Sequence, residues 1–188
     1  CGGSSMVEQL AFQLEEGGLI PTSPLQFVIK EIGVRAACIL NREWHSRLPL
    51  IDWSNITRNR HYVCFGAMFN TEWFAVGIWS SPVNQAYDID SVLELRRMAI
   101  APKAPRNTGS RMISVMVKLI RKQLPNIRRL ISYQDTEVHR GTIYKASGWE
   151  LADTVKYRPW KKTRQRDNEQ SRADKIRWEL SLATVDRK

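Results

Sequence analysis

The chain has 188 residues, 43% of them hydrophobic, with 29 Lys and Arg against 19 Asp and Glu, a formal net charge of +10. That length fits one ordinary domain with a real core. No apolar run reaches the roughly 18–20 residues that cross a bilayer, and Glu8, Glu15 and Glu16 interrupt any leader pattern, so a membrane partner is excluded and a cytoplasmic protein is expected.

Residues 1–5 (Cys1-Gly2-Gly3-Ser4-Ser5) precede Met6 and read as a remnant of expression, outside the fold; residues 6–188 read as one domain. Met6 to Glu16 reads as a short amphipathic or poorly ordered lead, broken by Gly17-Gly18, Pro21 and Pro24. Gln26 to Ile32 has strand character, and Val34 to Glu43 has helical spacing with Val34, Ala37, Cys38 and Trp44 on one side. Ser46-Arg47-Leu48-Pro49 ends that helix, because the residue before proline disfavours the α region. His61 to Met68 and Trp73 to Trp79 flank the short polar stretch Asn70-Thr71-Glu72 and predict a hairpin, closed by Ser81-Pro82-Val83-Asn84.

Leu93 to Ile100 is a further strand, stopped by Ala101-Pro102. Pro105 to Ser110 is a tight polar loop feeding a helix whose apolar stripe is Ile113, Met116, Val117 and Ile120; Pro125 ends it. Arg129 to Tyr133 is a strand, and Thr142 to Ser147 a short helix closed by Gly148. Trp149 to Ala152 and Ile176 to Leu180 are two last strands, joined by a basic 156–177 connection. The order predicts a single α/β domain, a central mixed twisted sheet with helices on both faces. Cys38 and Cys64 show no CxxC spacing and read as buried thiols.

The charge is clustered. Lys103 to Arg129 holds eight basic residues and no acid, and Lys156 to Arg177 holds nine basic residues against Asp167, Glu169 and Asp174. Two such blocks suit a polyanion, although a solvated face is the plainer reading. Trp160 lies in the second block, where an aromatic ring beside cations suits base contacts.

The stretch Leu93 to Leu151 resembles the core of the GCN5-related N-acetyltransferases (GNAT): strand, phosphate-sized loop and helix, strand, then a short helix bearing Ile143-Tyr144-Lys145-Ala146-Ser147-Gly148-Trp149. In that superfamily the loop usually reads Arg or Gln, two residues, Gly, one residue, then Gly or Ala; here Arg106 and Gly109 match and Arg111 stands at the small position. Glu94-Leu95-Arg96-Arg97, Pro105-Arg106-Asn107 and Ser110-Arg111 are similar to the phage Mom family's version of this region. So are Ser132-Tyr133-Gln134-Asp135, followed by His139-Arg140-Gly141-Thr142-Ile143-Tyr144-Lys145-Ala146, and, upstream, Trp44-His45-Ser46-Arg47-Leu48-Pro49 with the family's Tyr missing. The resemblance covers roughly residues 30–155 and is carried by the joint spacing of its Ser-Tyr-x-Asp and His-x-Gly-Thr-Ile-Tyr segments.

The resemblance implies a bacteriophage DNA modification enzyme, a GNAT-fold transferase placing an acyl-derived (carbamoylmethyl-type) group on adenine N6 of double-stranded DNA as protection from restriction. It implies acyl-CoA or another acyl donor, held by Arg106, Asn107, Gly109, Ser110 and Arg111, where helix-end N–H groups favour an anion. It implies catalytic roles for Asp135 as orienter or base of the amine, for Tyr144 as proton donor to the leaving group, and for Ser132, His139 and His45 beside them. Plainer roles stand next to these: a cap for Asp135, packing for Tyr144, strand filler for Ser132, surface residues for the two histidines. Asp135, His45 and His139 also match the residue types of a two-His-one-carboxylate iron site, though without a metal-binding spacing.

Lys156, Arg158, Lys161, Lys162, Arg164 and Arg166 would follow the DNA backbone, and Trp44, Trp53 or Tyr133 could receive an extruded base. All of this requires the 105–111 loop, Asp135 and Tyr144 to line a common cleft between splayed strands. An acyl-CoA-dependent N-acetyltransferase acting on a protein, an aminoacyl-tRNA or a small amine is the alternative, and a silent nucleic-acid-binding module the third reading. Whether the chain pairs as a homodimer is left open.

Overall fold

The computed structural model describes residues 20–44, 51–136, 141–156 and 174–182. Residues 1–5, the Met6 to Glu16 segment and Pro49 lie outside them. A single 3-10 turn at Pro24–Gln26 leads into β1 (Val28–Glu31), α1 (Val34–Trp44), α2 (Trp53–Thr57), β2 (Tyr62–Phe69), β3 (Glu72–Ser80) and β4 (Val92–Ile100). Then follow α3 (Thr108–Gln123), β5 (Arg129–Asp135), α4 (Thr142–Ala146), β6 (Glu150–Val155) and β7 (Lys175–Ser181).

The seven strands form one sheet in the order β1-β2-β3-β4-β5-β7-β6. Only β4 and β5 run parallel, since α3 carries the chain back between them; every other neighbour is antiparallel. Strand β7 inserts between β5 and β6.

Alternation along the strands sends two apolar sets to opposite faces. On one face Met112, Ile113, Met116 and Ile120 of α3 pack with Phe65, Trp79, Leu93, Leu130, Tyr144 and Trp178. On the other, Ala37 of α1 and Ile56 of α2 pack with Cys64, Val76, Ile78 and Ala99, flanked by Val34, Cys38 and Trp44. Helices therefore cover both faces. The α3 stripe read from the sequence is buried, while of the α1 stripe Ala37 is buried and Val34, Cys38 and Trp44 are half-buried. Cys64 is buried, Cys38 partly so, and both are free thiols.

The structure departs from the hydrophobic pattern in three places besides the longer runs of β5 to Asp135 and β6 to Val155. Strand β1 starts at Val28, because Ser23 and Gln26 close a capping box around the turn before it. Helix α2 forms where no element is predicted; Asp52 caps it, accepting the Ser54 amide at 3.1 Å and the Ser54 hydroxyl at 2.7 Å. Lys175 and Arg177, counted with the basic connection, belong to β7.

Candidate active site

The site begins with a failure of two strands to stay together. Pairing of β4 with β5 starts at Val92↔Arg129 and ends at Leu95↔Ser132. Beyond that, β4 follows β3 as far as Ile100, while β5 follows β7 to Asp135. The next residue of β4, Arg96, is the extra residue of a bulge against Ile78 and Trp79, which bends the strand where the two part. The opening lies toward the carboxyl ends of two parallel strands, where α/β folds place their ligands.

On the α3 face, the loop before α3 ends at Asn107, which takes φ 66° and caps nothing with its side chain. The Thr108 hydroxyl donates to Pro105 O at 2.7 Å and the Ser110 hydroxyl to Asn107 O at 3.0 Å, which braces the turn. The amides of Gly109 and Ser110 then head the helix with no acceptor among the described residues. Arg111 adds a buried Nε that has no partner either. Two helix-end donors and a guanidinium short of an acceptor fit the phosphate of an acyl donor.

Helix α4 is tied to this same corner. The Ser147 hydroxyl donates to Ile143 O at 2.8 Å and lies 3.2 Å from Ser110 O. A Cβ on Gly109 would stand 3.1 Å from Ile143 Cγ2, so the small residue allows the two helices their approach. Tyr144 is thereby placed with its hydroxyl 2.8 Å from Ser132 Oγ. Its ring stacks on Trp178, with centroids 5.4 Å apart and planes at 13°, and meets Trp149 edge-on. Burial pushes the Tyr144 phenol above its ordinary value, and the Ser132 hydrogen bond opposes that only in part.

Sequence reasoning did not find the brace behind this pair. Trp178 Nε1 donates to Gln134 Oε1 at 2.7 Å, fixing the indole against which Tyr144 lies. Gly141, at φ +71°, passes so close that a Cβ there would stand 2.5 Å from Gln134 Oε1 and 2.7 Å from Trp178 Cζ2. Gln134 and Gly141 sit inside the two family-like segments, but the register that joins them to Trp178 spans a long connection.

The opposite face of the opening is polar. Glu94 is buried; it accepts the Val83 amide at 3.0 Å and faces Arg96 Nε at 3.5 Å. Burial holds its carboxyl above the ordinary range in spite of those partners. Arg97, paired with Ile78, projects to this face too, because the bulge breaks the alternation between it and Arg96. Tyr133 is hydrogen-bonded to Tyr87, and burial first, then Tyr87, raises its phenol.

Of the residues expected to line one cleft, Ser132 and Tyr144 meet, beside the α3 loop. Asp135 does not join them. It pairs with Lys175 at the end of β5 and alternates to the face of Tyr133, away from Ser132 and Gln134. Three residues past Ser132, it stands about 10 Å along the strand. Arg106 and Asn107 are exposed on the loop. Trp44 packs in the α1 cluster and Trp53 lies under the Arg35 guanidinium, 4.4 Å from ring centre to Cζ, which leaves Tyr133 at the opening.

His45 and His139 lie outside the described residues, as do Arg158, Lys161, Lys162, Arg164 and Arg166; Lys156 is described and exposed just past β6. Among the described residues no group of three His, Cys, Asp or Glu could hold a metal ion, and no helix is long and apolar enough to cross a membrane.

The family model of the Mom protein family matches residues 26–184. The chain belongs to that family. No curated protein matches it. Among solved structures, the chain is similar to the ribosomal-protein-S18-alanine N-acetyltransferase of Escherichia coli, at 16% identity and a TM-score of 0.59, covering 85% of this chain and 97% of that one. A GNAT-family acetyltransferase of Streptococcus pneumoniae has a TM-score of 0.60 at 11% identity, covering 84% and 99%. A Bacillus subtilis acetyltransferase in complex with CoA has 0.56 at 15%, covering 84% and 99%. These likenesses establish the GNAT fold for this Mom family chain.

Proposed function

We propose that the chain is a transferase of Mom type that attaches an acyl-derived, carbamoylmethyl-type group to adenine N6 in DNA. The observation that carries the reading is the opening between β4 and β5, which has a buried Ser132–Tyr144 hydroxyl pair and the α3 helix end on one face and Asp135 on the other. Transfer to an amine needs a proton taken from the nucleophile and one given to the leaving group. Tyr144 lies where it would serve the second need. Asp135, on the other face and about 10 Å along the strand, does not reach the same centre, so the first need falls to another group at the opening.

Arg106, Asn107, Gly109, Ser110 and Arg111 would hold the anionic part of the donor. Acyl transfer from acetyl-CoA would leave an N6-acetyl group, so a carbamoylmethyl product requires a donor whose leaving group departs from the methylene carbon that becomes bonded to N6. Tyr144 is protonated at neutral pH and is held in one orientation by Ser132, from which it would give its proton to the leaving group. The adenine amine is a weak nucleophile inside a stack, so the base has to leave the duplex to reach the opening. A net charge of +10 supports a polyanionic partner.

Nucleoside mass spectrometry of DNA from cells producing the protein tests this. A mass-shifted deoxyadenosine that disappears with Tyr144→Phe is the expected result, and unshifted deoxyadenosine despite good expression overturns the reading. A second reading, transfer of acetyl to a protein, an aminoacyl-tRNA or a small amine, is favoured by the likeness to a ribosomal-protein alanine N-acetyltransferase. Labelled acetyl passing from acetyl-CoA to such an acceptor, with DNA untouched, would select it.

A further inference from the structure

Burying a guanidinium without an anion is costly, and folded proteins pair such groups. Arg96 obeys the rule: its Nε faces Glu94 Oε1 at 3.5 Å and its Nη1 donates to Ser80 Oγ at 3.2 Å. Arg97 does not. Its Nη1 donates to the neighbouring Arg96 carbonyl at 2.7 Å, its Nε is buried with no partner, and no carboxylate pairs with it among the described residues.

The bulge makes this pairing deficit local to the opening. It puts consecutive arginines on one face, so one buried carboxylate, Glu94, serves two cations. Arg97 stands two residues past the last β4–β5 pair on one bank, and Tyr133 one residue past it on the other, facing the same side. The α3 helix end lies on the opposite face, so an anion held at Arg97 is distinct from one held there.

We propose that Arg97 holds a phosphodiester group of the polynucleotide acceptor at the mouth of the β4–β5 opening, with Tyr133 on the facing bank. This rests on the DNA-modification reading and names the acceptor side of the same site. A phosphate oxygen supplies the acceptor that the buried Nε lacks, in a charge-assisted bond. Holding the strand beside the opening would present the neighbouring base to the gap.

The test is binding of a labelled, adenine-containing DNA duplex to the full chain across a range of salt, by fluorescence anisotropy, with CoA binding and thermal melting run in parallel. Arg97→Met should weaken duplex binding about tenfold and lower the salt slope by about one. CoA binding should not change. Because the substitution removes a half-buried charge that no carboxylate pairs with among the described residues, melting should stay level or rise. Arg97→Lys, which keeps the cation, should keep the salt slope.

Equal affinity and slope in Arg97→Met and the parent chain would overturn the proposal. So would loss of CoA binding with duplex binding intact, which assigns the anion to the donor, or a fall in melting temperature that accounts for the lost affinity. A parent chain that binds no duplex overturns both this proposal and the reading beneath it. Shifted deoxyadenosine with an indifferent Arg97 overturns this one alone.

Discussion

Ser132 Oγ and Tyr144 Oη lie 2.8 Å apart, in the buried core, on the strand and helix that border the β4–β5 opening. Strand β5 presents Ser132 at its last pair with β4, and α4 lowers Tyr144 onto it. A hydroxyl pair packed against aromatic rings holds one phenol in one orientation.

Removing the phenolic oxygen isolates its contribution. Tyr144→Phe keeps the stack on Trp178 and leaves the Ser132 hydroxyl short of one partner, a cost of about 1–3 kcal/mol in stability. If Tyr144 gives the proton to the leaving group, turnover falls about 10²–10⁴-fold while donor affinity holds. Steady-state kinetics on adenine-containing DNA, with the donor titrated separately, reads the two effects apart.

The raised phenol also predicts the alkaline behaviour. Its pKa lies above the ordinary 10.0 in the folded chain because burial disfavours the anion. The folded state thus holds this proton more tightly than the unfolded one. The stability linked to it is intact below pH 10 and is lost as pH rises from there through the folded value. Tyr144→Phe should therefore blunt the loss of melting temperature above pH 10, measured against the parent chain over the same series.

The amphipathic periods of α1 and α3, the hairpin of β2 and β3, and the glycine stop of α4 are local signals, and each is legible in the residues themselves. So is Tyr144, through the segment around it. What local pattern could not show is which strands become neighbours. The β5–β7 register sets Gln134 beside Trp178 across a separation of 44 residues, and strand parity sends Asp135 away from Ser132. The bulge at Arg96 likewise depends on pairing with β3, so the shared face of Arg96 and Arg97 has no mark in the sequence.

The thiols give a check on the packing of the α1 face. Cys64 is 2% exposed, and burial, with Cys38 and Glu31 nearby, pushes its pKa up to about 12. Near pH 8 only about one molecule in ten thousand then carries the thiolate that reacts. Alkylation followed by peptide mapping should leave Cys64 unlabelled in the native chain and label it fully in denaturant. Native labelling of Cys64 at the rate of a small thiol would contradict the burial of β2 beneath α1.

The two left-handed glycines around α4 separate backbone strain from contact. Gly148 has φ +76° and open space around a would-be Cβ, so Gly148→Ala should cost only the conformational term, about 1–2 kcal/mol. Gly141 has nearly the same backbone, φ +71°, but its Cβ would meet Gln134 Oε1 and Trp178 Cζ2. Gly141→Ala must therefore pay the strain and also displace the amide that holds Trp178, the ring on which Tyr144 rests. It should lower the melting temperature more than Gly148→Ala does, and lower turnover beyond what its stability loss explains, measured well below its melting point. Equal melting losses in the two variants, with turnover intact in both, would mean that the Gln134–Trp178 brace does not position Tyr144.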